Sequence, residues 1–462
     1  MILIALAVPA LGRVFARFKD WHWTAYLMIY LIRSGGALLD LIAVDSAKTF
    51  GAVNIGDRIL AWSSVEGSTN FRPQSEARQG PPRNKFLDTI QLIGICGVRR
   101  MTEGIWTAIG LMSGTSMDGV DAALVKTDGH AILELGVHLT RPYEQEFRLK
   151  LREVISGRGD ITAVEVKLTE FHVATVFALL KEAEISAVDI DVIGFHGHTI
   201  QHNPENGNTW QLGDGRMLSH GTGIDVVYDL RAADVAGGGQ GAPLAPVFHR
   251  ALSVQLQHPL VVVNIGGVAN VTWIGDGEDD LIGFDTGPGN ALIDDWALRH
   301  TGRPYDLDGR LASAGRVSPV KLASLMAHPY FNRPPPKSLD RDAFNQVKDE
   351  ALEGLSTQDG AATLTAFTVE TILRASCHFP APPRQWIVVG GGRHNKVIMK
   401  GLTRALDTDV LNGDQVGWNS DAVEAQAFAY MAVRSRLGLP NSYPATTGVI
   451  APTVGGVHVS RP

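Results

Sequence analysis

Residues 108–125 read AIGLMSGTSMDGVDAALV: an apolar run, a handful of small or acidic residues, and a second apolar run. Two buried strands joined through so short a polar connection predict a hairpin. The pattern returns at 259–277, PLVVVNIGGVANVTWIGDG, with Gly266 and Gly267 at the bend and Asn264 and Asn270 beside it. Each unit is followed by further strand and helix patterns. The first leads to a strand in HAILELGVHL, helices over 143–156 and 160–183, and a strand over 190–199. The second leads to LIGFDTGPGN, a helix in ALIDDWALRHTG stopping at Gly302, and the strand, glycines and helix of QWIVVGGGRHNKVIMKGL. A last helix is expected over 421–437, with Asp421 and Glu424 at capping-box spacing. The repetition predicts a duplicated α/β fold.

Both hairpin turns carry the chemistry of an anion site. Small side chains at Ser113, Gly114, Thr115 and Ser116 let a ligand approach the backbone, and successive N–H groups in such a bend bind phosphate. The Thr115 and Ser116 hydroxyls add donors. Asp118, before Gly119, repels phosphate but suits Mg²⁺. Gly266 and Gly267, with Asn264, offer the same device. Gly390, Gly391 and Gly392, followed by Asn395, suit a nucleoside lying on bare backbone at a strand end. Any one glycine-rich turn is commonly just a turn; three in this order, each after an apolar strand, point to a nucleotide. No Gly-Lys pair occurs, which excludes a P-loop, and GGGRHN lacks dinucleotide-fingerprint spacing.

The chain has 462 residues, more than one ordinary hydrophobic core needs, with 45% hydrophobic and 19% charged residues, as in a globular protein. A net charge of −7 without a basic stripe argues against a nucleic-acid partner. Cys96 and Cys377 match no zinc spacing and read as free thiols of a reducing compartment. Residues 1–100 differ from the rest. MILIALAVPALG lacks the basic start of a signal peptide, and WHWTAYLMIYLI, residues 21–32, falls short of the ~20 residues of a membrane span. Residues 66–85 form a polar Pro/Gly/Arg-rich linker. We expect residues 1–100 to be a poorly ordered appendage, with Met101 a natural start for the folded unit. The rival reading is a weak interfacial anchor at 21–32.

The chain resembles the anhydro-N-acetylmuramic acid kinases, within the fold shared by actin, hexokinase and the heat-shock chaperones. The resemblance rests on GLMSGTSMDGVD, GFHGHTIQHNP, WQLGDG, TGIDVVYDLRAADVAGGGQGAPLAPVFH, NIGGVANVT, GFDTGPGN, PPKSLDRDAFN and GGGRHN, and covers about 104–458. It implies two ribonuclease-H-like lobes around a central ATP cleft, lobe I being 104–235 plus 425–458 and lobe II 236–424. It implies a cytoplasmic, homodimeric kinase of peptidoglycan recycling, with no nucleic-acid or membrane partner. Such an enzyme uses ATP, Mg²⁺ and water to open 1,6-anhydro-N-acetylmuramic acid and phosphorylate O6.

The resemblance makes Asp285 the base that activates water. One D-T-G alone does not make an aspartic protease, which needs two such carboxylates. It places a sugar-contacting Glu at Glu424, where the capping box is the rival role. Arg231 suits the substrate's lactyl carboxylate, or equally a salt bridge. His196 is expected to bond sugar or order the cleft. His196 and His198, on alternate positions of a strand, are expected on one face; position 198 is often Gln in this family. Another sugar kinase of the same fold, or a binding protein without turnover, are the alternatives.

Overall fold

The computed structural model describes residues 38–43, 48–55, 58–65, 104–114, 117–277, 280–341, 343–344 and 350–462. Thr115, Ser116, Cys96 and the stretches at 21–32 and 66–85 lie outside them. The chain divides into two compact units, Met1–Arg100 and Met101–Pro462. In the first, β1 (Leu38–Ala43), β2 (Lys48–Ile55) and β3 (Arg58–Val65) pair antiparallel in sequence order.

The second unit holds two sheets of one design. β4 (Trp106–Ser113) and β5 (Gly119–Thr127) form an antiparallel hairpin, and β6 (Ile132–Pro142) extends it antiparallel. On the other side of β4, β7 (Val192–Asn203) and then β9 (Val226–Tyr228) run parallel, and β8 (Asn208–Leu212) pairs with β7. In the second sheet β10 (Leu260–Ile265), β11 (Val268–Ile274) and β12 (Leu281–Pro288) form the antiparallel set. There β13 (Gln385–Val389) and β14 (Asp409–Asn412) supply the parallel strands. The strand orders β9-β7-β4-β5-β6 and β14-β13-β10-β11-β12 are the same ribonuclease-H-like pattern twice, the duplicated fold of the actin and hexokinase type. β15 (Val457–Val459) closes the edge of the first sheet beside β9.

Central strands with both faces covered read as unbroken apolar runs, and all six residues of β10 are buried. Helices α1 (Gln145–Ile155) and α2 (Ile161–Glu182) cover the outer face of the first sheet. Helices α3 (Pro246–Leu252) and α7 (Val423–Arg436) lie in the layer between the sheets. There Tyr430 and Phe248 meet at 5.8 Å between ring centroids. Helices α4 (Ala291–Thr301), α5 (Thr357–Arg374) and α6 (Lys396–Ala405) cover the outer face of the second sheet. α4 ends at a left-handed Gly302, as its sequence predicts.

α7 sits unusually close to β4 and β7. A Cβ on Gly110 would come within 1.7 Å of the Ala425 carbonyl oxygen, and one on Gly194 within 2.0 Å of that of Phe428. These glycines are required by backbone contact, and the contact brings the start of α7 to the carboxyl ends of both sheets' central strands.

One local expectation needs correction. α7 begins at Val423 with Ala422 as an uncapped N-cap, so Asp421 and Glu424 form no capping box. Asp421 is drawn away by Arg393, whose Nη1 and Nη2 both donate to it at 2.7 Å. Asp285 lies in β12.

Candidate active site

The inner face of the second sheet presents a polar row. Asn264 on β10 is register-paired with Asn270 on β11, and Asn270 with Asp285 on β12. Directly paired residues share a face of the sheet with Cβ atoms ~5 Å apart. A bulge at Ala269/Asn270 precedes this row. Asn264 Nδ2 donates to Glu424 Oε1 at 3.0 Å, so the start of α7 completes the row at its β10 end.

Asp285 is held by partners distant in sequence. Its Oδ2 accepts from the Leu339 N–H at 2.8 Å, and its own N–H donates to the Lys337 carbonyl at 3.0 Å. The Tyr330 hydroxyl donates to its carbonyl at 2.6 Å. Burial lifts the carboxyl to about 7, against the Leu339 bond and the charges of Arg231 and Lys337. Burial also raises Glu424, opposed by Asn264 and Arg231 and reinforced by Asp118. Arg231 acts on both Asp285 and Glu424, and Asp118 on Glu424, so Asp285 of β12, Glu424 of α7 and the segments after β4 and β9 are neighbours. Asp121 joins them, lifted to about 6 chiefly by burial, with Asp118, Glu424 and Asp421 adding to the rise.

Arg231 is braced on one side. Its Nε donates to His196 Nε2 at 3.1 Å and its Nη1 to the Gly241 carbonyl at 2.7 Å. His196 stacks on Phe428 with centroids 4.5 Å apart, and its Nδ1 donates to the Gly197 carbonyl at 3.0 Å. Burial and the Arg231 charge hold this imidazole well below its usual range, so it is neutral, with both nitrogens engaged. His196 thus positions Arg231. No carboxylate among the described residues closes an ion pair with Arg231, which leaves Nη2 for an anionic group.

His196 and His198 do not share a face. Gly197 is left-handed (φ 74°) and the β4–β7 register slips beside it, which reverses the alternation. His198 Nδ1 instead meets Ser113 Oγ at 2.9 Å, and that hydroxyl also bonds the Tyr143 hydroxyl at 2.7 Å. Ser113 thus turns its side chain inward, with 1% of its surface exposed. His202 pairs with Thr209 at 3.0 Å. Among the described residues no three His, Cys, Asp or Glu side chains converge as metal ligands.

The three glycine-rich segments divide in use. At the first turn, Met117 N donates to the Gly114 carbonyl at 3.0 Å, and Tyr143 N to that of Asp118 at 2.9 Å. A Cβ on Gly119 would meet the Arg141 carbonyl oxygen. At the second, the Gly266 carbonyl accepts from Asn290 N at 2.7 Å and that of Gly267 from Gly289 N at 2.9 Å. The segment after Asp285 thereby braces this bend. At the third, Gly390 (φ 77°) abuts the Asn264 side chain and Gly392 abuts Ile265, while Gly391 stands clear. Asn395 is spent capping α6, accepting from Val397 N at 3.0 Å.

Sequence reading missed Leu339, Tyr330, Lys337 and the Arg393–Asp421 pair. PPKSLDRDAFN marked Leu339 and Lys337 only as parts of a motif, since 54 residues separate Leu339 from Asp285, and Tyr330 lies outside that motif.

A family model described as anhydro-N-acetylmuramic acid kinase matches residues 106–460. Proteins of that name are similar throughout this span. The one from Paramagnetospirillum magneticum is 53% identical, over 76% of this chain and 99% of its own length. That from Rhizorhabdus wittichii is 51% identical over 76% and 98%, and that from Rhodospirillum rubrum 49% over 78% and 96%.

Proposed function

The chain belongs to the anhydro-N-acetylmuramic acid kinase family, ATP-using sugar kinases of cell-wall recycling, and from that premise we propose how its cleft works. The substrate is 1,6-anhydro-N-acetylmuramic acid. Asp285 takes one proton from a water whose oxygen bonds to C1, and the C1–O6 bond breaks. The freed O6 attacks the γ-phosphorus of ATP, ADP leaves, and the product is N-acetylmuramate 6-phosphate. Half of this is the base-assisted water attack of an inverting glycosidase. No separate general acid is required, because the phosphoryl group captures the leaving oxygen.

The observation that carries the reading is Asp285 itself: a buried strand carboxylate, lifted to about 7, on a face shared with Asn264 and in the field of Arg231. A base with that affinity is matched to neutral pH. Arg231, held by His196 and Gly241, is oriented to receive the lactyl carboxylate through Nη2, and Glu424, tied to Asn264, to contact the sugar. The backbone of 113–119, with Thr115 and Ser116, and that of 264–267 grip the phosphates. The backbone of 390–392 receives the nucleoside, and Asn395 fixes that segment by capping α6.

Mg²⁺ is held as a rule by one or two carboxylates plus substrate phosphates, and Asp118 beside the first turn fits that donor set. When bound, the ion neutralises charge on the transferring phosphoryl group. The lobes proposed for closure are 104–235 with 425–458, and 236–424. We carry the homodimer and a cytoplasmic location from the resemblance; the exposed free thiol of Cys377 suits a reducing compartment. No helix of the described residues is long and apolar enough to cross a membrane.

The test is a coupled assay of ADP release with ATP and the anhydro-sugar, with the products identified by mass. Release that requires the sugar and yields the ring-opened 6-phosphate supports the reading. ADP release indifferent to the sugar, or none, contradicts it.

A further inference from the structure

Asn270 is the middle member of the row, paired in register with both Asn264 and Asp285. Its two neighbours are satisfied in part by protein: Asn264 by Glu424, Asp285 Oδ2 by Leu339. Asn270 differs. Its Oδ1 is buried and has no protein partner. Beside it stands Asp285 Oδ1, for which no protein donor is found among the described residues. Two neighbouring acceptors, one of them buried, call for a donor that carries two hydrogens. Water is that donor.

We propose that Asn270 is a catalytic residue, its side-chain carbonyl and the free oxygen of Asp285 together gripping the water that attacks C1. The inference rests on the reading of Asp285 as base. A water that donates one hydrogen to each acceptor has its lone pairs turned away from the sheet, toward the sugar. When the oxygen bonds to C1, the proton facing Asp285 moves to the carboxylate. The hydrogen facing Asn270 stays on the oxygen and becomes that of the 1-hydroxyl of the product. Asn270 thus decides which proton leaves and how the oxygen is aimed, and it exchanges no proton itself. The other groups acting on Asp285 are Arg231, Lys337 and the Tyr330 hydroxyl, and Glu424 and Asp234 act on Arg231.

Two variants of the full chain test this. Asn270→Leu keeps the branched outline of the side chain and removes the acceptor. Its kcat should fall at least about tenfold, with KM for ATP and for the anhydro-sugar within about twofold of wild type. Asn270→Asp places a second carboxylate beside Asp285, so the acid limb of the kcat profile should move up by about one pH unit or more. Turnover of Asn270→Leu within about twofold of wild type would overturn the inference, as would an unmoved acid limb in Asn270→Asp. Should the leucine variant not fold, the aspartate variant decides alone. Asp285→Asn, assayed in parallel, separates the two levels: if it keeps wild-type turnover, the base reading fails. If it is inactive while Asn270→Leu is not, only the role of Asn270 fails.

Discussion

Asp285 combines burial with the retention of a charge that chemistry needs, and both consequences are measurable. A base must be ionised, so kcat/KM should fall as pH drops through about 7. Stability runs the other way. The folded state raises this carboxyl from 3.8 to about 7, so the stabilising neutral form is complete below the unfolded value and lost as pH rises through the folded one. Asp285→Asn should therefore gain about 2–4 kcal/mol over wild type near pH 8 and almost nothing near pH 4, read by urea unfolding. Much at this scale was legible: the glycines of the turns and Asp285 itself follow from residue type and motif. The inward hydroxyl of Ser113 and the opposed faces of His196 and His198 did not. Both depend on a left-handed Gly197 and a register slip, which an alternating pattern does not encode.

At the scale of elements, strand and helix existence followed from hydrophobic runs, because buried parallel strands leave that signature. What escaped was how ends are tied. The capping-box spacing of Asp421 and Glu424 gave way to tertiary partners, Arg393 for one and Asn264 for the other. The Arg393 side chain is only 2% exposed, so Asp421→Ala strands a buried guanidinium that keeps Asp414 at 3.4 Å. A loss of about 1–3 kcal/mol in thermal or urea unfolding is expected. The approach of α7 to the first sheet is less forgiving. Gly194→Ala must push the helix off β7, and should cost more than about 3 kcal/mol or yield insoluble protein. Wild-type stability in that variant would show that α7 can shift freely.

For the whole molecule, duplication was readable because each half announces itself with the same hairpin. The meeting of the halves was not, since Asp118, Arg231, Asp285 and Glu424 are scattered over some 300 residues of chain and converge only through topology. The family match begins at residue 106, and Met1–Arg100 forms a compact unit of its own. A protein starting at Met101 should thus keep kcat and both KM values within about twofold of the full chain, by the coupled assay. The most direct test of the account is Asp285→Asn, with nucleotide affinity measured by calorimetry and turnover measured on the anhydro-sugar. Nucleotide affinity is expected to stay within about twofold while ring opening and phosphorylation fall together by about 10²–10⁴. Turnover near the wild-type rate, or ring opening that survives without phosphorylation, would contradict it.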